Sequence, residues 1–505
     1  MTPPTKQAAF AAGLEQPDAT TRAQRLRLAT SDEHKKSWGQ YFTPPDLAAF
    51  MATLPRAEPS RCVRILDPGA GTGALGIALA RALLDSQAAK HVELYCVEHE
   101  PQARHELELA LSATATRYGR RLITTIFPDD FLDFATPRLG GPTIPPIDIA
   151  IANPPYFKMS PKDPRGGDAP NIYARFMEVT GKMLRDGGQL CFVVPRSYAS
   201  GPYFRRFRRR FHHTMQLQHV HVFESRSAAF KTDKVLQENI VVLYEKHPPA
   251  PAGHVTISVS TGIDDLAQRQ SFTSPRHELV STDDNAVLSL PTDRGRVELM
   301  RRIQGLPNTL ETLGLQISTG PVVPFRAEAY LVEADYEGPT VPLLWLQHVR
   351  KGQVIWPLGD GFRKHEHIRP CAGLKLMVPT ANYVLLRRFS AKEEHRRLTA
   401  APLLGKDWSA PQLGLENHLN YIHRPGAALS TDEALGLSAL LNSQILDEFF
   451  RVASSNTQVS ATEIRALPLP SLPFIEQLGR ASRQKSSDDA HIESLILEML
   501  DESGR

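Results

Sequence analysis

Cysteine is scarce in this 505-residue chain: Cys62, Cys96, Cys191 and Cys371 are the only four, and no two are spaced Cys-x-x-Cys. That excludes a disulfide framework and gives no ground for a zinc site. Three of the four lie in apolar, strand-like runs, where free thiols of a reducing compartment belong. Also missing are a basic segment leading into an apolar stretch at the start, and any apolar run long enough to cross a bilayer. Neither export nor membrane insertion is therefore expected, and a cytoplasmic protein is. Charge of one sign is not in excess either. The 58 Lys and Arg against 55 Asp and Glu leave a formal net charge of +3, which permits a nucleic-acid partner without requiring one. Internal repeats and a carboxylate cluster of the metal-nuclease type are absent as well.

What is present is a folded, multidomain texture. Hydrophobic residues make up 41% and charged residues 22%, and the length calls for two or more cores. Seven β-branched runs read as strands: 62–67, 92–98, 122–127, 147–152, 189–194, 217–223 and 239–246. Helical spacing predicts helices at 73–85, 101–116 and 171–185 between them. Alternating strands and helices with two-sided apolar strands predict an α/β fold with a mostly parallel, doubly wound sheet, which binds ligands at the carboxyl ends of its strands. The Pro-rich "KHPPAPAGH" (246–254) reads as a linker, so domains 1–250 and 251–505 are expected. The second has short strands and frequent turns, a mixed α+β texture, then helical patterns at 431–453 and 489–502.

The segment "VRILDPGAGTGALGIALA" (63–80) reads as strand, glycine turn and helix. Gly69, Gly71 and Gly73 allow close backbone approach to a ligand. The spacing is neither the dinucleotide fingerprint nor a P-loop, which would end in Lys-Ser/Thr. An acid just before the turn, Asp67, disfavours polyphosphate and suits a ligand with an ammonium group, such as the methionine moiety of S-adenosylmethionine; a purely structural turn is the alternative. Glu98 ends the next strand, where an acid can hold a ribose diol. Asp130 and Phe131 follow the third, placed to meet an adenine amine and ring. Singly, each is an ordinary surface or turn residue; three acid-bearing strand ends in succession are harder to obtain by chance.

The fourth strand ends in Asn153-Pro154-Pro155-Tyr156. An exocyclic amine is a poor nucleophile because its lone pair is delocalised into the base. Two rigid acceptors on its hydrogens, the Asn153 side-chain carbonyl and the Pro154 backbone carbonyl, would favour the electron-rich, pyramidal nitrogen, while Tyr156 stacks on the base and Pro155 keeps the corner stiff.

The order "GQYFTPPDLAAFM" (39–51), "ILDPGAGTGAL", "VEHE", "DDFLDF", "NPPY" and "NIYARFMEVTGKMLRDGGQLCFVVP" (171–195) resembles gamma-class adenine-N6 DNA methyltransferases, those of type II restriction–modification systems of the TaqI and PstI kind. The resemblance implies a Rossmann-like class I methyltransferase sheet and a C-terminal target-recognition domain. It implies S-adenosylmethionine as methyl donor, double-stranded DNA as partner, and a separately encoded restriction endonuclease acting on the same site. By it, Thr43 contacts the donor's methionine end, Asp67 and Gly69 its ammonium side, Glu98 the ribose, Asp130 and Phe131 the adenine, and Asn153, Pro154 and Tyr156 the target base. Duplex adenine must be extruded to reach such a site, and stacking worth about 1–3 kcal/mol per base offsets part of the cost. Phe230 is the candidate second stacking face, or a core or loop residue. PstI-like resemblance points to CTGCAG as target sequence.

In "YFRRFRRRFHH" (203–213), Phe204, Phe207 and Phe211 share a helical face and leave Arg205, Arg206, Arg208, Arg209 and Arg210 largely outside it. This is either a solvated basic face or a set of phosphate contacts, led by Arg205 and Arg206. Segments 313–326 and 439–472 resemble parts of target-recognition domains, and Arg350, Lys351, Arg387 and Arg388 are candidate DNA contacts. An RNA-adenine or protein-glutamine methyltransferase, or a DNA-specificity protein without catalysis, are the competing readings.

Overall fold

The computed structural model describes residues 43–503 except 59–60, 136–143, 161, 167–168, 226–237, 248–252, 282–284, 360, 371–374, 391–393, 395, 455–458 and 485–488. Phe230 and Cys371 lie outside the described residues. The chain divides into two compact units, Met1–Thr292 and Asp293–Arg505.

The first unit is built on a nine-stranded sheet. Its strands are β1 (Cys62–Pro68), β2 (His91–Val97), β3 (Leu122–Phe127), β4 (Ile147–Ala152), β5 (Leu184–Pro195), β6 (Met215–Phe223), β7 (Asn239–Lys246), β8 (His254–Ser260) and β9 (Gln270–Pro275). They lie in the order β3-β2-β1-β4-β5-β7-β6-β8-β9. Strands β1 to β5 pair in parallel, while β7 enters antiparallel between β5 and β6. All six residues of β4 are buried, as a central strand covered by helices on both faces requires. The helices Ala74–Asp85, Pro101–Tyr118 and Ile172–Met183 fall close to their predicted spans.

Two sequence expectations are corrected here. The Pro-rich stretch does not separate the domains, because His254 begins β8, which pairs in parallel with β6 and carries β9 with it. The first unit therefore continues to Thr292. Arg208 is not on the basic face: it is 1% exposed, and its guanidinium donates to the carbonyls of Tyr198 (2.9 Å), Gly201 (2.7 Å), Asn285 (2.8 Å) and Ala286 (3.1 Å). A buried cation this well supplied with acceptors ties segment 285–286 to the helix Arg205–Thr214 and to the turn after β5. Arg205, Arg206, Arg209 and Arg210 remain exposed on the helix Arg205–Thr214, whose Phe207 and Phe211 are buried as expected.

The second unit holds a four-stranded sheet of β10 (Gln316–Thr319), β17 (Tyr383–Arg387), β18 (Ala400–Leu403) and β20 (Leu419–His423). A five-stranded sheet joins β11 (Leu331–Val332), β12 (Val341–Leu344), β15 (His367–Ile368), β16 (Met377–Pro379) and β19 (Gln412–Leu415). A hairpin joins β13 (Val349–Arg350) and β14 (Gln353–Val354). The pattern at 431–453 forms two helices, Thr431–Leu441 and Gln444–Ala453, rather than one. The break comes from local polar bonds: Ser443 caps the second helix through Leu446 N–H, and the Asn442 amide bonds both backbone groups of Ala400. The last helix, Asp489–Ser503, matches its expectation.

A polar chain runs through the first unit between β6 and β8. His219 Nε2 and His221 Nδ1 lie 2.7 and 2.8 Å from the Ser258 hydroxyl, and His221 Nε2 lies 3.1 Å from Ser260 Oγ. Burial pushes His219 down to about 4 and His221 down to about 3, with Arg269 adding to both. Both rings are thus neutral in the folded state while the unfolded chain protonates them below about 6.5. Stability from this pair is complete above that pH and is lost as pH falls toward 4, by roughly 2 kcal/mol per histidine at pH 5. A His219→Gln/His221→Gln variant removes the titration. Its urea midpoint is expected to lie below that of the wild type at pH 7.5, with the gap narrowing by pH 5; a gap independent of pH contradicts the assignment.

Candidate active site

The site is assembled at the carboxyl edge of the first sheet. Parallel pairing of Ile65 with Ile149 and Leu66 with Ala150 makes β1 and β4 run out together. The glycine turn and the Asn153–Tyr156 corner consequently leave the sheet side by side. Gly69 and Ala70 N–H both donate to Val97 O at the end of β2 (2.9 and 3.0 Å), and Glu98 N–H donates to Phe127 O at the end of β3 (3.0 Å). Four strand ends are thereby stitched into one rim.

Gly71 and Gly73 adopt left-handed backbone at φ 57° and 84°. A side chain at Gly71 would point into open space, whereas one at Gly73 would strike Leu107 and Ile77. The turn therefore presents bare backbone outward at Gly71. Asp67 does not face outward as its expected ammonium role would require. It is 1% exposed, and its Oδ2 accepts from Gly76 N–H at 2.9 Å, satisfying an otherwise unpaired amide in the first helical turn. Burial pushes its carboxyl up to about 7, against the Gly76 bond, and the Glu98 carboxylate adds to the rise.

Glu98 lies just past β2, 4% exposed, its two oxygens accepting from Gly71 N–H and Glu100 N–H at 2.8 Å each. Burial raises its carboxyl despite these bonds. Asp130 Oδ1 accepts from Leu132 N–H at 2.8 Å, and its other oxygen lies 3.5 Å from Arg165. Phe131 is not available as a covering ring: it is 3% exposed and tilts against Phe176 at a centroid separation of 4.7 Å.

At the corner, Pro154 is buried while Asn153, Pro155 and Tyr156 are half-buried. Asn153 Nδ2 donates to Thr43 Oγ1 at 3.3 Å, and its Oδ1 accepts from the Tyr156 hydroxyl at 2.6 Å. The same hydroxyl lies 3.0 Å from Val193 O, and the Tyr156 ring meets Tyr173 edge-on at 6.1 Å. Thr43, Asn153 and Tyr156 are brought together.

Two residues were missed from sequence. Phe176 comes 3.6 Å from where a Gly69 side chain would begin, and Arg165 reaches Asp130, Asp133 and Asp163. An aromatic on the buried face of the helix after the corner, and an Arg in the loop between them, were the available signals. Of the DNA-contact candidates, Arg205, Arg206 and Arg350 are exposed. Lys351 is engaged by Asp489, and Arg387 Nε donates to Val349 O at 2.8 Å. Arg388 donates to Asn417 O at 3.2 Å.

The Eco57I restriction-modification methylase family matches residues 145–230, which include the corner. The type II methyltransferase M.BsuBI of Bacillus subtilis is 32% identical over 480 residues, 91% of this chain and 93% of that protein. M.PstI of Providencia stuartii, also a type II methyltransferase, is 33% identical over 486 residues, 94% of this chain and 95% of that one. A DNA-bound structure of the Type ISP restriction-modification enzyme LlaGI, lacking its nuclease, shares the fold at a TM-score of 0.50. It is 13% identical and covers 93% of this chain and 48% of its own. With a third of its residues shared along almost its full length, the chain belongs to the type II DNA methyltransferases of restriction–modification systems.

Proposed function

We propose that the protein transfers a methyl group from S-adenosylmethionine to the N6 amine of an adenine extruded from double-stranded DNA, as the protective partner of a separately encoded restriction endonuclease in the cytoplasm. The observation that carries this reading is the Asn153–Tyr156 corner standing beside the glycine turn, three residues past paired positions of β1 and β4.

The residues fit the methyl donor. The turn offers bare backbone at Gly71, Glu98 is a buried carboxylate with spare lone pairs for a diol, and Asp130 is a half-exposed acceptor. Asp67 acts through the turn it holds. When bound, S-adenosylmethionine supplies an electrophilic methyl group on sulfur. The chain's contribution is positional and electrostatic. Asn153 Oδ1 and the Pro154 carbonyl accept the amino hydrogens, the Thr43 bond keeps the amide oxygen turned to the Tyr156 side, and Tyr156 supports the base. No general base is required before transfer, because the methylated amine is strongly acidic.

Adenine is favoured over cytosine-C5 because Cys191, within β5, is fully buried and burial pushes its thiol well above its ordinary range, the reverse of an activated nucleophile. A second compact unit, Asp293–Arg505, supports a duplex substrate over a glutamine side chain.

The deciding experiment incubates the protein with labelled S-adenosylmethionine and duplex DNA, CTGCAG-bearing DNA among the substrates, and maps the product by sequencing. N6-methyladenine at a defined sequence is expected; modified cytosine, or label only in RNA or protein, overturns the reading. Asn153→Ala is expected to lower turnover at least about 100-fold while calorimetry shows donor binding within threefold of wild type; equal activity removes Asn153 from its role. Asp67→Ala orphans the Gly76 amide, so donor affinity is expected to fall about tenfold and stability by about 1–3 kcal/mol. Asp67→Asn, which keeps an acceptor in place, retains both; a donor-binding defect equal to that of Asp67→Ala would instead indicate direct contact.

A further inference from the structure

The loop between the Asn153–Tyr156 corner and the helix Ile172–Met183 is closed at its base and tied near its middle. At the base, Lys158 bridges to Asn171, and Ile172 N–H donates to Phe157 O at 3.2 Å. Further along, Arg175 in the first turn of the helix donates through Nε to Arg165 O at 2.7 Å, while its Nη1 bonds Glu178 at 3.0 Å. The backbone of Arg165 is thereby held before its side chain makes any contact.

The Arg165 side chain divides its guanidinium between two parts of the chain. Nε and Nη2 form a fork on Asp163 at 3.0 and 2.9 Å, a geometry that fixes a guanidinium in plane as well as in place. These bonds hold the Asp163 carboxyl down to about 2, so it is ionised at neutral pH. The remaining corner, Nη1, is left to face the segment after β3, 3.5 Å from Asp130 Oδ2 and 3.9 Å from Asp133 Oδ2. The other Asp130 oxygen, Oδ1, is taken by Leu132 N–H at 2.8 Å and Asp133 N–H at 3.4 Å. Oδ2 is thus the oxygen left for a ligand's amino group, and Arg165 sets where it stands. Both side chains are open to a ligand, Asp130 being 34% and Arg165 37% exposed. Removing the cation leaves three carboxylates within one guanidinium's reach, and their repulsion favours a displaced Asp130.

We propose that Arg165 is a positioning residue for the donor's adenine: it fixes Asp130 so that Oδ2 accepts the adenine amino group. Through its loop it also joins that pocket to the corner that receives the target base. The inference rests on the function proposed above and goes beyond it by assigning selectivity for the donor's base to a residue on the target-base loop.

The test measures, by calorimetry, binding of S-adenosylhomocysteine and of S-inosylhomocysteine, in which a carbonyl oxygen replaces the adenine amine. Wild type is expected to prefer the adenine compound, because an ionised carboxylate accepts hydrogen bonds and cannot donate them. Arg165→Ala is expected to weaken S-adenosylhomocysteine about tenfold and S-inosylhomocysteine by less than about twofold, so the preference collapses. Arg165→Lys, which keeps the charge beside Asp130, is expected to retain part of it. Asp163→Asn, which loosens the fork, shifts the preference the same way by a smaller factor and carries the test if Arg165→Ala does not fold. Equal weakening of both compounds would mark a merely structural role, and an unchanged preference would remove Arg165 from the pocket. Either result overturns this inference, and the functional reading stands if the wild type methylates a defined adenine. If the wild type binds neither compound and methylates no DNA, both fall.

Discussion

The parallel contact between β1 and β4 is the constraint on which the rest of the first unit depends. Adjacent strands lie about 4.8 Å apart, so two loops leaving the same edge can serve the two ends of one transfer. A slip of one residue would turn every side chain to the opposite face and carry Asn153 away from Thr43. Register is protected by burial: Ile147, Ile149 and Ile151 are each no more than 1% exposed, and burying each contributes about 1.5–3 kcal/mol. The precision of the functional corner is inherited from the strand beneath it.

The acids of the rim illustrate how burial assigns work. Asp67 and Glu98 are both almost fully enclosed and close enough for each to raise the other's cost of ionisation. Each is compensated by backbone N–H groups of the glycine turn and the segments after it. The two carboxyls therefore shape the turn from within, Asp67 from beneath the helix start and Glu98 from the side. A polyanion would meet negative charge here, whereas a ligand with hydroxyls or an ammonium group would not.

Strand positions in the first unit were legible because doubly covered strands are continuous apolar runs, and the glycine turn because glycine adopts φ values such as 84° at Gly73 without the strain a side chain brings. Direction of burial was not legible. Asp67 at a strand end looks the same in sequence whether it faces ligand or helix, and Phe131 reads alike as ligand cover or as packing for Phe176. The unit boundary was misplaced because proline marks a loop without saying whether the chain returns: β8 pairs with β6 across more than thirty intervening residues, and pairing at that distance leaves no local trace. Arg208 escaped for a similar reason, since its acceptors come partly from residues 285 and 286. In the second unit, short strands with four or fewer residues carry too little periodicity to be read, so the pairing of its sheets emerged only from the fold, whereas its C-terminal helices were legible.

The Tyr156 hydroxyl resolves a difficulty in the proposed chemistry. An acceptor waiting for an amine must not be left unsatisfied when no base is present, nor be occupied when one arrives. The hydroxyl has a single hydrogen and, among the described residues, lies within reach of Asn153 Oδ1 at 2.6 Å and Val193 O at 3.0 Å. Donating to Asn153, it satisfies the amide oxygen; turned to Val193, it leaves that oxygen to an incoming amino group. The exchange trades one hydrogen bond for another by rotation about a single C–O bond, so it costs far less than the 1–3 kcal/mol of a buried acceptor left bare. Nor does the ring have to move. A corner built on two prolines can in this way stay rigid in both conditions while a hydroxyl proton turns from one acceptor to the other.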